Sequence, residues 1–298
     1  QIDTTFRLAD IDMVDNYKSK CMLVSPKAIK TIFDGGLTPQ WDRRQYRMAI
    51  RPDAWWNPVD GIKAGVHVEG DYLFSLYKID ATIWWNSHLL QENAYRATVA
   101  KNTYDFYKPI NYSFNYNSPL TRNLAKLQLM INSRYLDGLW FHKGGLNWLM
   151  NDKNSVQLYA QTMWRQDIND FAYLTNRNDW SSAASRANSS INAAWTHSYN
   201  YLRGNGRYTF SLRAPLVNNA FDYSYLQLES VNNNYVGKLE IRTRLFGRLG
   251  AGSRLPYESL LYMAGASPEE QMENKYTRSI GIVPTDWQGI SRYDVNHF

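Results

Sequence analysis

Side chains that switch between apolar and polar at every second residue, over runs of ten or more, leave this chain few folds to choose from. From Ile62 one face reads Ile62, Ala64, Val66, Val68, Gly70, Tyr72, Phe74, and the other Lys63, Gly65, His67, Glu69, Asp71, with Leu73 the one apolar intruder. The next segment sets Ile79, Ala81, Ile83 and Trp85 against Lys78, Asp80, Thr82 and Trp84. The same pattern runs through 156–162, 191–201, 207–214 and 238–245. Successive strand residues point to opposite faces, so such runs are strands with one apolar and one polar side. Helical spacing finds little support in these windows.

Turn chemistry agrees. Arg203-Gly204-Asn205-Gly206-Arg207 supplies positive-φ residues for a tight hairpin, Asn57-Pro58-Val59-Asp60-Gly61 carries Pro and Gly in turn order, and Asp137-Gly138 parts two strand-like runs. About a dozen strands are expected, near 44–56, 62–74, 77–86, 94–101, 110–117, 123–136, 139–150, 155–166, 190–202, 207–214, 223–231 and 236–249. Strands of soluble proteins average about 5–6 residues, whereas these runs reach the roughly 9–11 that cross a bilayer at a tilt. The longest unbroken apolar run, Leu260–Ala264, has five residues, against the roughly 20 of a spanning helix. The mean hydropathy of −0.53 does not oppose membrane insertion by strands, because alternation averages out as polar. With 22 Tyr and 11 Trp the chain is too aromatic for intrinsic disorder. Aromatics gather towards strand ends, as in interfacial girdles.

The expected fold is all-β: an antiparallel transmembrane β-barrel of long strands. A soluble β-sandwich or propeller is the alternative. Residues 1–43 are expected to be a connecting or plug-like segment and 44–298 the barrel, with a long polar loop near 167–189. Asp294 and Asn296 stand in phase with the terminal Phe298, where a closing strand needs apolar residues. The chain is therefore expected to stop before its last hairpins and to be part of a longer polypeptide. The formal charge of +6 is scattered and does not call for nucleic acid. Cys21 is the sole cysteine, which rules out an internal disulfide and any multi-cysteine metal cluster.

Catalytic patterns are scarce. His67, His88, His142, His197 and His297 include no HExxH spacing, and Ser253 lacks a nucleophile-elbow context. Lys63, His67, Glu69, Lys78, Asp80, Arg242 and Arg244 are expected to face a lumen, where alternating charges neutralise one another. Val66, Val68, Ile79 and Ile83 are expected to face lipid, and Trp55, Trp85, Tyr199 and Tyr201 to mark the membrane boundaries. Arginine at Val66 or Ile83 should then cost far more than at Thr82 or Ser198. The expected partner is the lipid bilayer.

The segment from Tyr46 to Ser87 carries Arg51, Pro52, Asp53, Trp56, Asn57, Asp60, Gly61, Lys63, Gly65, His67, Gly70 and Tyr72, then Trp85 and Asn86. In that order these residues resemble the membrane barrel appended to outer-membrane zinc aminopeptidases of the gluzincin class. The stretch Leu239–Pro284, with its Leu255-Pro256-x-Glu258 passage, is more weakly similar to BamA-like barrels. The resemblance implies residence in the bacterial outer membrane and association with a peptidase-like domain, with other outer-membrane proteins as possible partners. The peptidase motif itself is absent, so no catalytic or metal residue is assigned. No cofactor is expected in this chain, and zinc only in a peptidase domain outside it. An insertion or translocation channel, or a solute pore, is the other function the resemblance and the lumen imply.

Overall fold

The structure, a computed structural model, describes residues 28–34, 45–57, 61–72, 76–87, 89–90, 110–120, 126–136, 139–165, 186–216, 219–261 and 269. They build one sheet of 12 strands in sequence order. The strands are β1 (Ala28–Phe33), β2 (Gln45–Asn57), β3 (Gly61–Tyr72), β4 (Leu76–Asn86), β5 (Ile110–Pro119) and β6 (Leu127–Leu136), followed by β7 (Leu139–Asn151), β8 (Asn154–Arg165), β9 (Asn188–Tyr201), β10 (Gly204–Pro215), β11 (Ser224–Val236) and β12 (Leu239–Ala251). From β2 to β12 every neighbour is antiparallel. A 3-10 turn, Tyr257–Ser259, follows β12.

One expectation changes and another is left untested. The strand expected near 94–101 lies outside the described residues. Residues 28–33, inside the stretch expected to connect or plug, extend the sheet instead, and pair with β2 in parallel. At six residues their alternation is too short to stand out. Because β1 parallels β2 and the rest alternate, β1, β2 and β12 all run the same way. Among the described residues β1 pairs only with β2 and β12 only with β11, so the described sheet is not closed and has two edges, in keeping with a barrel expected to stop before its last hairpins.

The Arg203–Arg207 turn also moves. Leu202 and Arg203 form the turn, and Gly204, Asn205 and Gly206 already belong to β10. The rings of Tyr199 and Tyr201 lie across Gly206 and Gly204, where any Cβ would collide with their hydroxyls. These glycines make room for tyrosines rather than bend the chain.

The two ends of the sheet differ. At one end β3–β4, β5–β6, β7–β8, β9–β10 and β11–β12 are joined by three, seven, two, two and two residues. At the other, three and two residues join β2–β3 and β6–β7, but 23, 22 and eight join β4–β5, β8–β9 and β10–β11.

The sheet is curled. Trp84 of β4, Leu136 of β6, Leu139 and Phe141 of β7 and Met163 of β8 form one buried apolar cluster, with Trp55 of β2 against it. A flat sheet would hold β4 and β8 roughly 19 Å apart, at about 4.8 Å per strand. All six side chains share one face, near the long-connection end, so that face is concave and enclosed there.

Candidate functional site

The polarity of this curled sheet is inverted relative to a water-soluble core. On the concave face, Lys63 and His67 are each 3 % exposed and Thr82, Asn86, Asn111, Ser113, Ser190 and Asn192 are buried with them. On the convex face, Val66 is 43 % and Ile83 52 % exposed, and Leu158, Ile191, Trp195, Phe210, Leu212, Leu228, Leu245 and Leu249 are exposed too. Scattered exposed apolar residues are ordinary, but contiguous ones mark an interaction surface. Here register makes them contiguous: Val66 pairs with Ile83, Trp195 with Phe210, Phe210 with Leu228, and Leu226 with Leu249.

Buried polar groups need partners, and the concave face supplies them across strands. His67 Nδ1 and Thr82 Oγ1 meet at 2.8 Å, Asn111 donates to Asn86 Oδ1 at 3.1 Å, and Asn132 donates to Asn115 Oδ1 at 2.6 Å. Lys63 rests its ammonium 4.8 Å from the centre of the Trp55 ring, a cation–π contact that suits a buried amine. The segment after β12 folds onto the same face at the long-connection end. Glu258, fully buried, accepts from Asn188 Nδ2 at 3.1 Å. Asn188 Oδ1 in turn accepts from Arg213 Nη2 at 2.6 Å. Glu269 reaches both Gln161 and Arg213. Arg248 donates to Ser259 O at 3.3 Å while lying over Tyr225.

The convex face carries two aromatic groups, one towards each end of the strands. Tyr112, Tyr135, Trp140 and Trp164 gather near the long-connection end, with Trp140 and Trp164 stacked at 5.7 Å. Trp195, His197, Tyr199, Tyr201 and Tyr208 form a row running to the short-turn end.

Of the residues singled out in the sequence, Arg51 binds Asp34 Oδ2 at 3.0 Å, linking β2 to the end of β1. Asp34 N donates to Ile50 O, so Ile50 and, two residues on, Pro52 turn their backbone towards β1, which has ended. Pro52 therefore forfeits no ladder bond. Trp56 is exposed and its Nε1 donates to Leu90 O at 2.9 Å. Asp60 and the side chain of Asn57 lie outside the described residues, and Asp53 sits on the concave face in register with Gly65. Gly61 has φ +72°, the left-handed region that favours glycine at a turn. Gly65 has no room for a Cβ, which would strike the Ile83 carbonyl and the Trp84 ring. Gly70 lies under Tyr46, whose hydroxyl donates to Tyr77 O at 2.8 Å.

Val68 and Ile79 are half-buried on the convex face, Trp85 is exposed there, and Arg242 and Arg244 are exposed on β12, with Arg244 Nε donating to Glu229 at 2.8 Å. Trp55 is a correction. It faces inward with the apolar cluster rather than a membrane boundary, because β2 pairs it with Lys63 on the concave side. The expected neutralisation among Glu69, Lys78 and Asp80 is also revised. Register sets Glu69 against Asp80 and Lys78 against Asn117, and the cation near Glu69 is Arg47 at 3.7 Å. Sequence reasoning did not single out Arg47 or Lys143; it put Asp71 and Arg213 on polar strand faces and Glu258 in the Leu255–Glu258 passage, without joining any of them in a site. Their charge on an inner phase was a signal, but only register and curvature bring them together.

Among the described residues no three His, Cys, Asp or Glu side chains gather as a metal site, and no helix is long and apolar enough to cross a membrane, which says nothing about strands. No protein-family model matches the chain, and no curated protein matches it.

Proposed function

We propose that this chain is the membrane-embedded module of a bacterial outer-membrane protein: a curled β-sheet with a polar lumen, holding a peptidase-like domain outside this chain at the membrane. One observation carries the reading: charged and amide side chains are buried on the concave face while a contiguous apolar face is exposed. In hydrocarbon that polarity is favourable, because the outward side chains leave water at roughly 25 cal/mol per Å² and strand ladders satisfy the backbone. The unequal connections are in keeping with it, since outer-membrane strands join by short turns on one side and longer loops on the other. The two aromatic groups fit the interfaces. Bilayer lipid is the principal partner, and the peptidase association rests on the Arg51–Gly70 resemblance alone.

The free edges β1 and β12 favour a second reading, an insertion channel that opens laterally. The apolar cluster from β4 to β8, and Glu258 and Ser259 against Asn188 of β9, fill the concave side at the long-connection end, which argues against an open solute pore.

Cell fractionation of the intact gene product tests the proposal. It should sediment with the outer membrane, resist alkaline extraction, and release its peptidase activity in soluble form when residues 44–298 are deleted. A chain that is soluble and monodisperse without detergent would overturn it.

A further inference from the structure

The short-turn half of the concave face contains a cavity of about 550 Å³, within the range of small-molecule sites. Its two sides differ in net charge: on β2–β4 the three carboxylates of Glu69, Asp71 and Asp80 outnumber Arg47 and Lys78, and on β7 Lys143 stands alone. Glu69, Asp71 and Asp80 stand on the β3–β4 wall, with Arg47 of β2 bonded to Asp71 through Nε at 2.8 Å. Across the cavity stands Lys143 of β7, its Nζ 4.2 Å from the centre of the Tyr159 ring. Lys78, exposed at the mouth, brings the lining to three cations and three anions. Net charge therefore selects no ion, whereas the separation of carboxylates from Lys143 selects a dipolar ligand. A second observation points to a missing donor. Asp71 is only 5 % exposed, yet its Oδ1 has no hydrogen-bond partner, and neither has the buried Oδ1 of Asn132, which also lines the cavity. Buried acceptors seldom stay unsatisfied.

We propose that this cavity binds a small zwitterion, its ammonium against Glu69, Asp71 and Asp80 and its carboxylate at Lys143. A roughly spherical void of this volume is about 10 Å across, a span that three extended residues match, so a tripeptide is the fitting size. Tyr159 holds the Lys143 amine towards the cavity, and the exposed Glu69 and Lys78 leave its mouth open to solvent at the short-turn end. The inference uses the concave face alone. Failure to bind leaves the membrane reading standing, and failure to insert into membranes leaves the cavity standing.

Calorimetry on the whole chain in non-ionic detergent tests it with triglycine, N-acetyltriglycine, triglycinamide and the neutral trisaccharide raffinose. Triglycine should bind, and blocking either end should weaken binding about tenfold, the loss expected for one charged contact. Asp80→Asn should weaken the preference for a free amine and keep that for a free carboxylate; Lys143→Met should abolish the preference for a free carboxylate and keep that for a free amine. The ligand series needs no variant, so the test survives misfolding of either. Absence of triglycine binding at millimolar concentration, equal binding of the three peptides, raffinose binding as tight as triglycine, or folded variants with unchanged preferences would each overturn the proposal.

Discussion

Glu69 and Asp80 stand directly opposite one another on the concave face, residue to residue across the β3–β4 ladder. Like charges in that position repel, and the nearest guanidinium, Arg47, is committed to Asp71 through Nε at 2.8 Å and reaches Glu69 only at 3.7 Å. Glu69 is half-exposed, so water screens part of the repulsion. Asp80→Asn should therefore stabilise the fold by about 0.2–0.5 kcal/mol, read as a higher denaturant midpoint in detergent. A lower midpoint would show that Asp80 is already compensated.

Arginine placed on the convex face should separate lipid from water as its surroundings. Val66 and Ile83 are adjacent there, and in lipid vesicles either substitution should cost about 2–4 kcal/mol if the pair sits at the midplane. Ser198→Arg is the matched control, since Ser198 is exposed on the other phase of β9. Thr82 is not a usable control, contrary to the sequence-based expectation. It is 2 % exposed and bonded to His67, so a larger residue would overpack the interior wherever the outer face lies. Equal losses at Ile83 and Ser198 in vesicle unfolding would reject the assignment of faces.

Arg213 ties the segment after β12 to the sheet. Its side chain is 2 % exposed and bonds Asn188 at 2.6 Å and Glu269 at 3.4 Å. Arg213→Met should free that segment at a cost of roughly 1.5–3 kcal/mol, because the half-buried Glu269 and the buried Asn188 both lose a charge-assisted hydrogen bond. Amide exchange at Tyr257–Ser259 should accelerate accordingly. Lys at this position should not restore protection, since a single ammonium cannot reproduce the forked contact. Unchanged exchange would mean that Glu258 and Asn188 hold the segment alone.

The link between the β10–β11 connection and the end of β12 should be acid-sensitive. Asp222 accepts from Ser253 Oγ at 2.6 Å and from the backbone amides of Arg254 and Ser253 at 2.6 and 2.8 Å. The Ser253 hydroxyl first, then those amides, hold its carboxyl down at about 2. A folded value below the ordinary one of about 3.9 means that the unfolded chain binds the proton first. The stabilisation is thus complete above about pH 4 and lost as pH falls towards 2. Protection of the Ser253 and Arg254 amides, taken relative to the intrinsic exchange rate at each pH, should fall across that window, and Asp222→Asn should remove the dependence. A flat profile in the parent protein would contradict the carboxylate's role.

The positions of β2–β12 were legible because alternation over ten or more residues is hard to mistake for anything but strand, and the strand near 94–101 falls outside the described residues. The short edge strand β1 was not legible. Its six residues show too brief a pattern, and a parallel partner leaves no hairpin signal to help. The glycines at 204 and 206 misled in a different way. A turn and a tyrosine lying across a strand both require a missing side chain, and only the placement of Tyr199 and Tyr201 tells them apart.

By itself the sequence determined which side chains share a face, since period two is a property of one strand and needs no neighbour. That is why Lys63 parts from Val66, and Thr82 from Ile83, before any fold is considered. Only the tertiary structure decided who stands opposite whom. Register sets Glu69 against Asp80 and Trp55 beside Lys63, the curl of the sheet carries Trp84 to Met163, and the chain folding back after β12 brings Glu269 to Arg213. Pairing between strands depends on free-energy differences summed over whole ladders and on curvature imposed by packing, and no local run of residues encodes either.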